Sequence, residues 1–269
     1  MRKLVGVIVT FGVMSLGTAG YADDTPEHAA AIPEAGTESS GAAAAATDND
    51  AAADGAAAGS EEQKFSDAEV ALWMGDQLKS IHKPVKLKYE FRKGGSLEEG
   101  FTDAIELDIT DVHADGKKNA VVNFFTGARN HFVPPFENID GNPLLAVYLQ
   151  GDVIEMNRLT EGNWRYFHRL IKHALAERAE VKETSIEFDG KTVPAKQIRI
   201  SPYTEDPRAD QNDAYRKIKE KSYTFTVSEN VPGYLYEVRT FVAPPKNAAD
   251  QSIPVLEESM RLVAVEDKK

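Results

Sequence analysis

Apolar and polar positions alternate along most of the chain, on either side of one long helical stretch. From Val85, the apolar Val85, Leu87, Tyr89 and Phe91 alternate with Lys86, Lys88, Glu90 and Arg92, and Gly94 and Gly95 then supply a turn. A period of two buries one set of side chains and leaves the other in water, which predicts a half-buried strand. The same pattern returns over 101–112, where Ile105, Leu107 and Ile109 face one way and Glu106 and Asp108 the other, and after Asp115-Gly116 over 120–126. Further along, strands at 184–188 and 191–200 flank Asp189-Gly190, a dipeptide suited to a two-residue hairpin turn. Tyr223, Phe225 and Val227 alternate before Pro232-Gly233, a type II turn signal, and Tyr234, Tyr236 and Val238 after it, with a last strand over 260–265. About eight strands in sequential hairpins result, interrupted by helices.

The helical period appears in two places. Ser66 and Glu69 have the spacing of a capping box, Phe65 and Val70 that of a hydrophobic staple. Val70, Trp73, Met74, Gln77, Leu78 and Ile81 then recur at three and four residues, predicting a helix that Pro84 closes. The second place is 141–178. Asn142 and Pro143 suit an N-cap and first turn, and the helix after them, to about Leu159, is apolar around nearly its whole circumference. After Glu161-Gly162, a helix capped at Asn163 puts Trp164, Phe167, Ile171 and Leu175 on one face and Arg165, Arg169 and Lys172 on another. Residues 129–141 break regular structure, and the charged stretch 203–221, with Pro207, reads as a long loop holding a short helix.

Strands with one apolar face must cover it, and the helices are the available cover. The predicted fold is α+β: a curved, mainly antiparallel, half-barrel-like sheet wrapped around an inserted helical hairpin, with the N-terminal helix packed at one end.

Composition sharpens the ends of this picture. Residues 1–22 order Arg2 and Lys3, an apolar run and small residues up to Ala22, as a secretory signal peptide does. Residues 23–64 hold ten acidic groups against Lys64 alone, a net charge of −9, and almost no large apolar side chain. Such a segment cannot offset its ordering entropy, so a disordered acidic linker is predicted there and a single folded domain over 65–269. The chain has no cysteine, which leaves its stability to a hydrophobic core. No later apolar run is free of charge, so no membrane span is expected after signal cleavage. A formal net charge of −12 argues against nucleic-acid binding, which needs a basic footprint.

Candidate chemistry concentrates on the helical block. Asp152, Glu155 and Arg158 succeed one another at three residues and face a basic stripe of Arg165 and Arg169, which suggests a structural ion-pair network. The competing reading gives Trp164, Arg165, Arg169 and Lys172, with Tyr166 nearby, to an anionic head group or a partner's carboxylates. His168 and His173 are five apart, so a helix points them in different directions, while His82, His113 and His131 are isolated, and no metal site is expected. No GxSxG, SxxK or phosphate-binding glycine loop occurs, so no catalytic residue or cofactor is assigned. The carboxylates Asp103, Glu106, Asp108 and Asp111 offer a hydrolase reading, but strand alternation puts Glu106 and Asp108 on the polar face.

The order of export signal, leading helix, antiparallel strands and helical interruption over 65–265 resembles periplasmic lipoprotein carriers of the Lol type. The block GNPLLAVYLQGDVIEMNRLTEGNWRYFHRLIKHALAE is also similar to that of exported proteins of Gram-negative bacteria. The resemblance implies a half-barrel sheet that holds acyl chains under helices, in the periplasm of a Gram-negative bacterium. The expected function is therefore non-enzymatic binding of a lipid or other apolar or amphipathic ligand between sheet and helices, with the loop from Phe132 to Phe136 as a lid. The alternative is an interaction module that contacts another protein of the cell envelope.

Overall fold

The computed structural model describes residues 64–268; the expected signal peptide and all of the acidic linker but Lys64 lie outside the described residues. The strands are β1 (Val85–Gly94), β2 (Phe101–Val112), β3 (Lys118–Phe124), β4 (Phe136–Ile139), β5 (Glu180–Phe188), β6 (Lys191–Ile200), β7 (Ser222–Val227), β8 (Leu235–Val242) and β9 (Leu256–Asp267). The α-helices are α1 (Asp67–Trp73), α2 (Leu144–Thr160), α3 (Trp164–Glu177) and α4 (Asp213–Ile218). All nine strands form one open antiparallel sheet in the order β4-β3-β2-β1-β9-β8-β7-β6-β5, curved and packed on the helices. The fold is α+β, as the alternation predicts.

Register follows directly from that alternation. Leu87 stands opposite Leu107 and Tyr89 opposite Ile105, while Phe225 faces Val238 and Val238 faces Met260, all buried. A shift of one residue would turn any of these strands inside out, so the apolar face fixes the pairing. The ninth strand, β4, falls in the stretch read as irregular. Pro134 and Pro135 precede it, and its pairing with β3 rests on only Lys118 with Ile139 and Ala120 with Phe136, too little to leave a periodic signal.

The helices join the two edges of the sheet. β4 and β5 are its outermost strands, and the chain passes from one to the other through α2 and α3, so the hairpin must traverse the apolar face. Asn142 sets the start: its Oδ1 accepts from the Leu144 amide (2.9 Å) and its Nδ2 donates to the Gly233 carbonyl (2.8 Å). Leu144, Leu145, Tyr148, Leu149, Val153 and Met156 of α2 are buried, as are Phe167, Ile171, Ala174 and Leu175 of α3. Helix α2 is not apolar all round in place, because Gly151, Ile154, Asn157 and Arg158 form an exposed side.

The first helix is shorter than its stripe predicts. Its capping box is present, Ser66 Oγ accepting from the Glu69 amide (3.1 Å) and Glu69 Oε2 from the Ser66 amide (3.0 Å), but the helix ends at Trp73. Gly75 and Asp76 break it, and the Leu78 amide donates instead to the Asp140 carbonyl (3.0 Å). The face that docks is Ala68 and Leu72, fixed by Ser66 Oγ donating to the Leu175 carbonyl (2.8 Å), which leaves Val70 and Met74 48% and 40% exposed. Leu78 and Ile81 are buried from the following loop.

At the turn after β1, Gly95 has φ +119°, and a Cβ there would lie 2.5 Å from the Val255 carbonyl oxygen. Both the conformation and the clash are with backbone, so Gly95→Ala should destabilise the protein by about 1–3 kcal/mol, read as a shifted urea midpoint at unchanged slope.

Candidate functional site

The helices do not fill the sheet's apolar face at one end. A cavity of about 640 Å³ lies there between the β1–β3 end of the sheet and α2. Its walls differ in chemistry. One is aromatic: Phe91 of β1, Phe101 of β2 and the consecutive Phe124 and Phe125, with ring centroids 4.8 Å apart for Phe91 and Phe125, 5.5 Å for Phe101 and Phe125 and 4.6 Å for Phe124 and Phe125. Successive strand residues point to opposite faces, so two adjacent phenylalanines lining one cavity need a break in the pattern. Phe125 supplies it with φ +69°, a left-handed conformation that is a genuine outlier for a bulky side chain. Arg129 closes the rim, its guanidinium 4.6 Å from the Phe101 ring centre, beside His131.

The opposite wall is polar and largely buried. Lys93 of β1 reaches Glu155 of α2 (2.9 Å), Glu98 (3.1 Å) and Glu258 of β9 (3.5 Å). Arg158 pairs with Glu155 (2.7 Å) and with Glu98, and Thr240 donates to Glu258 (3.0 Å). Burial alone would lower the Lys93 pKa, but the three carboxylates outweigh it and hold the ammonium above its ordinary range. The Arg158 hydrogen bonds, against the opposing effect of burial and with help from Lys93, bring Glu155 down to about 2. Tyr148 of α2 lines the same wall. Its hydroxyl is buried beside Thr240, and burial, then the charges of Glu258 and Asp152, push its pKa well up against the opposing Thr240 hydrogen bond.

Glu155 gives the ion cluster a pH signature. Its pKa is depressed in the folded state from an ordinary 4.5 to about 2, so its contribution is fully present above pH 4.5 and is lost as pH falls toward 2. Urea midpoints of the protein and of Glu155→Gln should therefore differ most above that window and converge below it; a pH-independent difference would contradict the assignment.

Asp152 connects the cavity to a second buried network. One of its carboxylate oxygens pairs with Lys221, whose side chain is 0% exposed, and the other accepts from the Tyr223 hydroxyl (2.5 Å). The Tyr223 and Tyr203 hydroxyls are 3.0 Å apart, Phe167 packs edge-on against Tyr203 and Tyr215, and the Tyr215 hydroxyl donates to Asp206 (2.8 Å). Burial first, and the Asp152 charge next, raise both Tyr203 and Tyr223 well above their ordinary values. These hydroxyls stay protonated at any ordinary pH and act as hydrogen-bonding spacers.

The residues singled out from sequence divide around this geometry. Asp152, Glu155 and Arg158 line the cavity, paired as above. Arg165 and Arg169 instead lie over aromatic rings, Arg165 at 4.6 Å from the Trp164 centroid and Arg169 at 5.3 Å from that of Tyr166, and Lys172 is exposed. Neither these nor Phe132 and Phe136 line the cavity: Phe132 is 76% exposed and Phe136 begins β4. The strand carboxylates are engaged in pairs and caps, Glu106 with Lys86 (2.9 Å), Asp108 with Lys268, and Asp103 with the Thr126 hydroxyl (2.7 Å).

Lys93, Tyr148, Lys221, Glu258 and the phenylalanine wall were not foreseen. For the wall there was a signal, the adjacent Phe124-Phe125 at the end of an alternating strand. Lys221 had none, since it sits in the charged run KIKEKS.

No family model matches the chain, and no curated protein matches it. Among solved structures, a LolA-superfamily protein from Nitrosomonas europaea is similar at 8% identity, covering 75% of this chain and 94% of that one with a TM-score of 0.20. That structural resemblance is weak.

Proposed function

We propose that this chain is an exported, non-enzymatic carrier that holds a lipid or other amphipathic ligand in the cavity between β1–β3 and α2. The observation that carries the reading is the pairing of an aromatic wall with a charged, hydrogen-bonding wall in one hollow of about 640 Å³. Cavities that take small ligands measure about 300–1,000 Å³ and combine a mostly apolar lining with a few placed polar groups. An apolar chain would lie on Phe91, Phe101 and Phe125, and a polar end would meet Lys93, Glu155 and the Tyr148 hydroxyl. The left-handed Phe125 supports the same reading, because backbone strain persists where the surrounding structure enforces it and gathers at binding sites.

Export rests on the signal-like residues 1–22, with 23–64 as a spacer and 65–269 as the folded domain. Among the described residues no helix is long and apolar enough to cross a membrane. The periplasm of a Gram-negative bacterium is the compartment we assign.

Two measurements test the proposal. Native mass spectrometry of protein purified without detergent should show a copurifying lipid or similar small amphiphile. Titration with a dansyl-labelled fatty acid should saturate at one equivalent and be reversed by unlabelled detergent monomers. An empty protein that also gives no saturable probe signal would end the carrier reading.

A further inference from the structure

The outer face of α3 carries an unbalanced charge that the cavity does not use. Arg165, Arg169 and Lys172 follow one another at four and three residues, so they share one side of the helix, and all three are exposed. Among the described residues none of them forms a salt bridge, and no acidic residue occurs in α3 before Glu177. Arg208, from the short 3-10 turn Pro207–Gln211, joins them with its guanidinium 4.1 Å from the Tyr166 centroid. The nearest acids of that segment are otherwise committed: Glu205 pairs with Arg178 (2.7 Å), Asp206 is buried on Tyr215 and Asp210 holds Lys219 (3.2 Å). The helix thus presents three exposed cations that form no salt bridge among the described residues, with Arg208 beside them and Asp206 held at the Tyr166 hydroxyl.

The rings under these cations narrow the partner. Trp164 and Tyr166 carry the guanidinium groups of Arg165, Arg169 and Arg208, and both are half-buried rings with a polar edge, the side chains favoured at a membrane–water boundary. Exposed cations grouped with amphipathic aromatic rings are the makeup of a surface that meets anionic lipid head groups. A nucleic acid would need a broader basic footprint than these four cations provide.

From these observations we infer that the α3 face docks on an anionic bilayer surface, with Arg165, Arg169, Lys172 and Arg208 meeting phosphate-bearing head groups. The inference goes beyond the carrier reading and does not depend on the cavity. A docked carrier would exchange its cargo at the membrane instead of across water.

The test is flotation of the purified protein with vesicles of phosphatidylcholine alone and of equal parts phosphatidylcholine and phosphatidylglycerol. Binding is expected only to the anionic vesicles, weakening as salt rises. Each cation near an anionic surface contributes about fivefold, so the triple variant Arg165→Gln/Arg169→Gln/Lys172→Gln should bind on the order of a hundredfold more weakly. Lys182→Gln/Lys191→Gln/Lys246→Gln changes the net charge equally at exposed positions elsewhere and should bind as the unmodified protein does. Circular dichroism should show both variants folded. Equal loss in the two variants, no binding to anionic vesicles, or retention on an immobilised acidic peptide in preference to those vesicles would overturn the inference.

Discussion

Asp152→Ala should cost about 3–5 kcal/mol of stability, because it leaves the Lys221 ammonium buried without its counter-charge. Lys221 has no exposure to water and Asp152 is its salt-bridge partner, so the truncation leaves its ammonium without that counter-charge. The same substitution removes the acceptor of the Tyr223 hydroxyl, which is itself fully buried. Domains are typically stable by only about 5–15 kcal/mol, so a single truncation would consume a large share of the total. Urea denaturation followed by tyrosine and tryptophan fluorescence gives the number. The double variant Asp152→Leu/Lys221→Met should recover most of the loss, since a buried pair replaced by apolar groups of similar volume is often neutral. A cost below about 1 kcal/mol for Asp152→Ala would mean that the pair is far better hydrated than its burial indicates.

Gly151→Trp should weaken ligand binding while leaving the fold intact. Gly151 lies at the exposed mouth of the cavity on α2, and a Cβ there would meet nothing within 4 Å, so a bulky side chain can stand across the opening without displacing core residues. Any ordinary residue is also a better helix former than glycine, by up to about 1 kcal/mol. Affinity for the dansyl probe should fall at least about tenfold, equivalent to about 1.4 kcal/mol, with no loss of thermal stability. If the tryptophan variant binds the probe unchanged, the probe sits elsewhere. Phe101→Ala enlarges the hollow from the aromatic side and should weaken binding less.

Much of the fold could be read from the sequence because it depends on local period. Leu87, Tyr89 and Phe91 alternate in the chain and are buried together in the sheet, and Ser66 and Glu69 cap α1 as their spacing implies. Where local pattern is weak, other forces decide: β4 pairs through few residues after two prolines, and α1 stops at Trp73 because Gly75-Asp76 outweighs a continuing apolar stripe. The site was harder to see for a different reason. Asp152, Glu155 and Arg158 stand out on an apolar helix, but Lys93, Lys221 and Glu258 come to them from β1, from the residue before β7 and from β9. Such partners are chosen by tertiary packing, which no spacing encodes. A hollow is less legible still, since it consists of what the helices fail to cover.

The place of β9 has a kinetic consequence. It lies between β1 and β8 and pairs with β1 from Val85 opposite Asp267 to Gly94 opposite Glu257, so the middle of the sheet joins the first described strand to the last. Loop closure over so much chain must precede the contacts that reward it, which makes folding slow. Until Leu256 and the residues after it are available, β1–β4 and β5–β8 are two ribbons with unpaired inner edges, bridged by the α2–α3 hairpin. A chain cut short before Leu256 would lose the central strand and keep its halves joined through α2, by Lys93 with Glu155 on one side and Lys221 and Tyr223 with Asp152 on the other.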